Sequence, residues 1–175
     1  MEVWEMKELF IRLLLLASVF MLPISANVHA EEKKPDTRGI ELANDAKSAI
    51  LIERDTGAVL YEKNAHEKLP PASMTKIMTM LLIMEAIDKG ELSYKEKVRA
   101  SEYAASMGGS QIFLEPGEEM TVDELLRGIA IGSGNDASVA MAERIAGSEE
   151  AFVEMMNKKA KELGLKDTSF QNATG

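Results

Sequence analysis

Apolar residues in this chain come in runs of different length and period, and each run predicts a different element. Leu13 to Leu22 is an almost unbroken apolar block, too short to cross a bilayer comfortably and broken by Pro23. Ser48-Ala-Ile-Leu-Ile-Glu-Arg and Ala58-Val-Leu-Tyr-Glu flank the turn signal Asp55-Thr56-Gly57, which predicts a hairpin whose first strand is buried. From Ile77 to Met84 the chain is apolar on nearly every helical face, which predicts a buried helix. That helix is expected to start at Ser73, behind Pro70-Pro71, and to stop at Gly90.

The remaining pattern is helical with polar punctuation. Ile40 to Lys47 predicts a short helix, and Glu91 to Arg99 a loop or short strand. Ser106 to Gln111 carries Gly108-Gly109 and predicts a flexible loop, and Glu115-Pro116-Gly117-Glu118 a turn. Thr121-Val-Asp-Glu124 is a capping box opening a helix through Leu125, Leu126 and Ile129. Gly132-Ser133-Gly134-Asn135 interrupts that helix, which resumes from Asp136 to Ala146 and stops at Gly147. Ser148 caps a last amphipathic helix carrying Phe152, Met155, Met156 and Leu163, closed by Gly164. One hairpin followed by helices is marginal as a sheet, so further strands after Gly175 are expected to complete it.

Composition narrows the function classes. The chain has 175 residues, 46% of them hydrophobic, with 20 Lys+Arg against 29 Asp+Glu. A formal charge of -9 argues against nucleic acid as a partner, since that needs a basic face. Without cysteine there is no disulfide, no thiol nucleophile and no thiolate metal site. The two histidines, His29 and His66, lie too far apart for an H-E-x-x-H metal motif, so neither a metal nor another cofactor is expected. The 12 methionines read as core filler in helices.

The first thirty residues read as a secretory signal, with Val28-His29-Ala30 supplying small residues before a cut at Glu31. Glu2, Glu5 and Glu8 outnumber Lys7 and Arg12 in the leading region, and initiation at Met6 would remove two of those acids. An uncleaved amphipathic or membrane anchor is the alternative. Residues 31–39 form a charged linker containing Pro35. Export places the working chain on the cell-wall side of the cytoplasmic membrane.

The chemistry centres on Ser73 and Lys76. Residues at i and i+3 share a helical face, and Lys76 is the one charge between Lys68 and Glu85. A buried lysine tends to shed its proton, and a neutral amine beside a hydroxyl is a nucleophile with its base attached. A helix start adds free N–H groups and a positive dipole end. The bland alternative is Ser73 as an N-cap with Lys76 snorkelling out of the first turn. Ser133-Gly134-Asn135, sixty residues on, supplies a second hydroxyl and an amide between two helices, with glycines that let the backbone turn. Its alternative is a plain capping loop.

The two motifs together resemble those of the serine penicillin-recognising enzymes, S-x-x-K and S-x-N. Longer stretches make the resemblance more specific: Pro71-Ala-Ser-Met-Thr-Lys-Ile-Met-Thr, Gly109-Ser-Gln-Ile-Phe-Leu-Glu-Pro-Gly-Glu and Ile131-Gly-Ser-Gly-Asn-Asp-Ala-Ser. With Ser48 to Gly57, they look like the D-alanyl-D-alanine carboxypeptidases, the low-molecular-mass penicillin-binding proteins of peptidase family S11, and within these the sporulation-associated type. The resemblance runs from about Ala43 to Gly175. It implies a mixed α/β fold of the β-lactamase/transpeptidase kind, a helical subdomain plus a sheet flanked by helices. Residues 40–175 would be the N-terminal part of that catalytic domain.

By that resemblance, Ser73 would attack the carbonyl between the two terminal D-alanines of a peptidoglycan stem peptide. Lys76 would be the general base, Ser133 would relay a proton to the leaving nitrogen, and Asn135 would bind the substrate amide and help position Lys76. β-Lactams would acylate Ser73. The family's third motif, Lys-Thr-Gly on a later strand, does not occur in these residues, nor do the C-terminal domain and membrane-surface helix. The residues by themselves are therefore expected to fold poorly and to be weak or inactive.

Other readings compete. A class A β-lactamase would need a deacylating glutamate, and Glu162-Leu-Gly-Leu165 superficially resembles its setting. A penicillin sensor that never turns over has the same motifs. A Ser-His-Asp hydrolase would depend on His66 without a G-x-S-x-G elbow. An aspartic protease would need two Asp-Thr-Gly loops, and Asp55-Thr56-Gly57 is a single copy.

Overall fold

The computed structural model describes residues 42–175; the signal, linker and first residues of the expected 40–47 helix lie outside them. Two compact units divide the chain at Ala65/His66.

The first unit holds the hairpin. Strand β1, Ala49–Ile52, pairs antiparallel with β2, Val59–Lys63, and Leu51 stands opposite Tyr61. A bulge falls between Leu51 and Ile52. The turn is built by Glu53, whose carboxylate accepts the Thr56 hydroxyl (2.6 Å) and the N–H groups of Asp55 and Thr56. Those bonds, the Thr56 hydroxyl first, hold the Glu53 carboxyl below its ordinary pKa. Gly57 closes the turn at φ +74. Asp55 is thus an exposed turn residue beside Arg54 (3.3 Å), and the aspartic-protease reading has no support.

Two expectations fail in this unit. β1 is not buried: Ile50, Leu51 and Ile52 are each about half exposed, because a lone two-stranded ribbon offers no second layer within its own unit. No helix forms in the described part of 40–47 either. Its carbonyls are taken by β2 side chains and the next residue: Tyr61 Oη donates to Leu42 O (2.7 Å), Lys63 Nζ to Asn44 O (3.0 Å) and Asn64 Nδ2 to Lys47 O (3.0 Å). A helix would need some of those carbonyls for itself.

The second unit is mostly helical. A 3₁₀ turn, Ala72–Thr75, leads into α1, Lys76–Asp88. Strand β3, Lys97–Arg99, pairs antiparallel with β4, Glu119–Thr121, and the short α2, Glu102–Ala105, follows β3 under a Ser101 cap. Then come α3, Val122–Gly132, α4, Asn135–Ala146, and α5, Glu149–Glu162. The Thr121–Glu124 capping box forms as expected, with Thr121 Oγ1 accepting the Glu124 N–H and Glu124 Oε2 the Thr121 N–H. The sequence pattern missed α2 and β4, both too short to show a period.

Helix α4 is the axis of this unit. Every residue from Asp136 to Met141 is buried, and α1, α2, α3 and α5 all pack on it. Small side chains at Ala137, Ser138, Ala140 and Ala142 let those neighbours approach closely. One apolar cluster joins Ile83, Val98, Val122, Leu125, Ile129 and Val139; another joins Met78, Leu82, Phe152, Met156 and Ala173. Helix α1 is only half buried, against expectation. Ile77, Leu81 and Met84 form an exposed stripe at helical spacing, with Ile77 65% exposed, because α3, α4 and α5 all meet the opposite face.

Candidate active site

The nucleophile candidate does not begin the α-helix as expected. Ser73 lies in the 3₁₀ turn, and α1 starts three residues later at Lys76 itself. Ala72 before it holds φ +49, a left-handed conformation for a non-glycine residue, which turns the chain sharply into the helix. No side-chain cap bond forms at either start, so Ser73 is not an N-cap. Ser73 is an exposed residue, as is its neighbour Met74, and its place in the first turn leaves its N–H without an intrahelical acceptor.

Lys76 is inward-facing and only 3% exposed, so it does not snorkel. Its Nζ lies 3.4 Å from Ser73 Oγ and donates to Thr174 O at 3.0 Å. One helical turn on, fully buried Thr79 donates its hydroxyl to Ala173 O (2.8 Å). Burial lowers the Lys76 pKa, and no carboxylate is paired with it among the described residues to oppose that shift. The amine is thus held between the Thr174 carbonyl and the Ser73 hydroxyl, with a proton affinity below that of a free lysine. Residues 173 and 174 were not singled out in the sequence; their part is played by backbone carbonyls, which any residue supplies.

The second motif sits at the α3–α4 junction, and here the glycines serve a different purpose from the one expected. Ser133, not a glycine, takes the left-handed position at φ +54, while Gly134 has an ordinary φ of -60. A Cβ on Gly134 would meet Asp136 Oδ1 at 3.0 Å and Ile112 at 3.3 Å, and one on Gly128 would meet Ile112 at 2.9 Å. The glycines make room for the Ile112 side chain. Ser133 Oγ is buried and lacks a hydrogen-bond partner, which is unusual enough to ask for an occupant. Asn135 Nδ2 donates to Gly108 O (2.7 Å) and its backbone N–H to Ser110 O (2.8 Å), so the 108–114 loop is tied to the motif. Neither Ser133 nor Asn135 bonds Lys76 or Ser73 here; α1 packs on both α3 and α4, which brings the two motif-bearing elements together.

Asp136, read from the sequence only as the residue where the helix resumes, holds the loop before it. It is 1% exposed, and its carboxylate accepts the N–H groups of Ile112 (3.1 Å) and Leu114 (3.0 Å). Phe113 between them is pinned at φ +63 and points out, 79% exposed. The loop expected to be flexible is therefore held at its end by a buried carboxylate at a helix N-terminus. Asp136→Ala leaves three N–H groups, those of Ile112, Leu114 and Ala137, without this acceptor and is expected to lower unfolding stability by about 3 kcal/mol in urea titrations. Asp136→Asn, which keeps one acceptor oxygen, should lose clearly less.

Residues of the rival readings are placed elsewhere. Glu162 closes the last turn of α5 and pairs with Lys159 (2.9 Å), which lowers its pKa. His66 is exposed, and the basic group beside Ser73 Oγ is the Lys76 amine, 3.4 Å away.

The profile of the D-alanyl-D-alanine carboxypeptidase family, peptidase S11, matches residues 31–175. The D-alanyl-D-alanine carboxypeptidase DacF of Bacillus subtilis is 69% identical over 161 residues, covering 92% of this chain and 41% of that protein. The crystal structure of the D-alanyl-D-alanine carboxypeptidase DacD from Francisella tularensis superposes with a TM-score of 0.74 at 40% identity, covering 78% of this chain and 32% of that one. Penicillin-binding protein D2 of Listeria monocytogenes, solved in an ampicillin-bound form, matches at a TM-score of 0.69 and 31% identity, over 78% of this chain and 54% of that one. The mixed α/β fold is that of the low-molecular-mass penicillin-binding proteins. The chain spans about two fifths of the length of the first curated relatives it matches.

Proposed function

Because this chain belongs to the D-alanyl-D-alanine carboxypeptidase family, peptidase S11, we propose that it carries the acylation half of a serine-type D-Ala-D-Ala carboxypeptidase. The observation that supports this best is the Ser73–Lys76 pair: the hydroxyl of an exposed serine 3.4 Å from a buried amine that no carboxylate pairs among the described residues and whose pKa burial has lowered.

In this reading, Ser73 Oγ attacks the carbonyl between the terminal D-alanines of a stem peptide while its proton passes to Lys76 Nζ. Charge developing on the carbonyl oxygen is met by backbone N–H at the first turn. The C–N bond then breaks, and the leaving D-alanine nitrogen takes a proton, relayed through Ser133, whose unpartnered Oγ has a free lone pair and a free donor. Asn135 Oδ1 accepts the substrate's backbone N–H, its Nδ2 being committed to Gly108. Water completes the cycle by hydrolysing the Ser73 ester and returning its hydrogen. β-Lactams enter the same path and stop at the ester. The residues require no metal or cofactor for these steps.

We assign residues 1–30 to export, 31–39 to a linker and 40–175 to the N-terminal part of the catalytic domain, working on the cell-wall side of the membrane, where its substrate is. No helix among the described residues is long and apolar enough to span a bilayer.

The test is a comparison of two turnovers by the full-length gene product. D-Alanine release from a pentapeptide should far exceed hydrolysis of nitrocefin. The reverse ratio would make it a β-lactamase, and stable penicillin labelling with no D-alanine release would make it a sensor.

A further inference from the structure

We propose that Glu149 is a positioning residue for acylation: through residues 173–174 it sets the backbone carbonyl that holds the Lys76 amine beside Ser73. This rests on the carboxypeptidase reading of that pair.

Glu149 is the first residue of α5, a place where an acid ordinarily serves the helix dipole. That duty is already covered. Ser148 caps the helix through the Ala151 N–H (3.1 Å), and Glu150, the second first-turn acid, bonds locally to that cap. Glu149 differs from Glu150 in being buried, and its two oxygens reach away from their own helix. Oε2 accepts the Tyr103 hydroxyl at 2.7 Å and Oε1 accepts the Ala173 N–H at 2.9 Å. The Tyr103 phenol, pushed up to about 12 by that carboxylate, keeps its proton and stays a donor.

Ala173 is completely buried and is held from two sides. Glu149 holds its N–H; Thr79 on α1 donates to its carbonyl, and the next carbonyl, Thr174 O, receives Lys76 Nζ. Thr79 and Lys76 are successive inward positions of one helix face. The register of residues 173–174 along α1 therefore depends on the Glu149 clamp opposite. Without it the Ala173 N–H is buried and unsatisfied, and the segment must shift to find an acceptor. Thr174 O would move with it, and the amine would lose the contact that fixes its distance to Ser73 Oγ. Displacements of that size cost rate in an acyl transfer rather than binding.

The experiment measures time-resolved acylation by a fluorescent penicillin in the full-length gene product. Glu149→Ala should lower the acylation rate constant by about tenfold, with the pre-acylation dissociation constant unchanged and labelling still complete at long times. Glu149→Gln keeps an oxygen acceptor for Ala173 and should recover most of the rate. If the alanine variant does not fold, Glu149→Asp serves instead: it keeps charge and helix start but is too short to reach both partners, and the same rate loss is expected. An unchanged rate in a folded Ala or Asp variant overturns the proposal. So does a loss seen only as a smaller labelled fraction at normal rate, which is the mark of a merely structural residue. Failure of the underlying reading looks different: wild type then takes up no penicillin, or Ser73→Ala labels as well as wild type.

Discussion

A Ser73→Ala variant of the full-length gene product takes up no fluorescent penicillin, however long the exposure, and releases no D-alanine above background. The ester oxygen has no substitute. Thr75 is buried, and Ser133 Oγ is enclosed and has no hydrogen-bond partner to serve as its base. The change should leave the fold alone, since Ser73 is exposed and caps no helix; unfolding stability should move by no more than about 0.5 kcal/mol. Intact-mass spectrometry after incubation with benzylpenicillin reads the result directly. An adduct on the variant at wild-type yield would remove Ser73 from the mechanism, and a peptide map would then show which residue carries it.

Lys76→Met lowers the acylation rate by about 10³-fold without unfolding the protein, the scale expected for loss of a positioned general base. The substitution separates activity from stability. A buried amine is costly, so methionine of similar length should leave stability equal or higher, by about 1 kcal/mol. The pH behaviour follows from the same burial. Because the folded pKa of Lys76 is depressed, the unfolded chain binds more protons, and stability rises with pH from the folded pKa up to the ordinary lysine value. That rise should be reduced in the methionine variant. The wild-type acylation rate should rise with pH as the amine is freed, reaching half its plateau below the ordinary lysine range near 10.4. Labelling of Lys76→Met at wild-type speed, or a wild-type profile falling across that range, would exclude the lysine as base.

How much of this was readable beforehand depends on where the information lies. Ser73, Lys76, Ser133 and Asn135 are side chains of distinctive chemistry at fixed spacing, and a linear sequence displays them. The α3 capping box and the Gly147 stop were legible because caps are local. What stayed hidden is non-local or carried by the backbone. Thr174 and Ala173 contribute carbonyls, which leave no trace in residue type. Asp136 marks only a helix start in the sequence, because its partners, the N–H groups of Ile112 and Leu114, lie more than twenty positions away. The glycines flanking Ser133 read as hinges, but what they answer to is the Ile112 side chain, twenty residues away. The buried strand and buried helix went wrong for one common reason. Hydropathy reports that a surface can be covered; β1 has no second layer within its own unit, and the outer stripe of α1 faces away from α3, α4 and α5 within its own.

The hydrogen bond from Lys76 to Thr174 joins residues 98 positions apart, and the one from Thr79 to Ala173 spans 94. Contacts of such range form late, because the intervening loop must close first. As the chain is synthesised N-terminus first, Ser73 and Lys76 emerge long before the carbonyl that anchors the amine. In the proposed mechanism the serine therefore spends the early part of each molecule's life without its positioned base. Penicillin added in a pulse during synthesis should acylate only chains that have passed residue 174, so labelled nascent fragments shorter than that are expected to be absent.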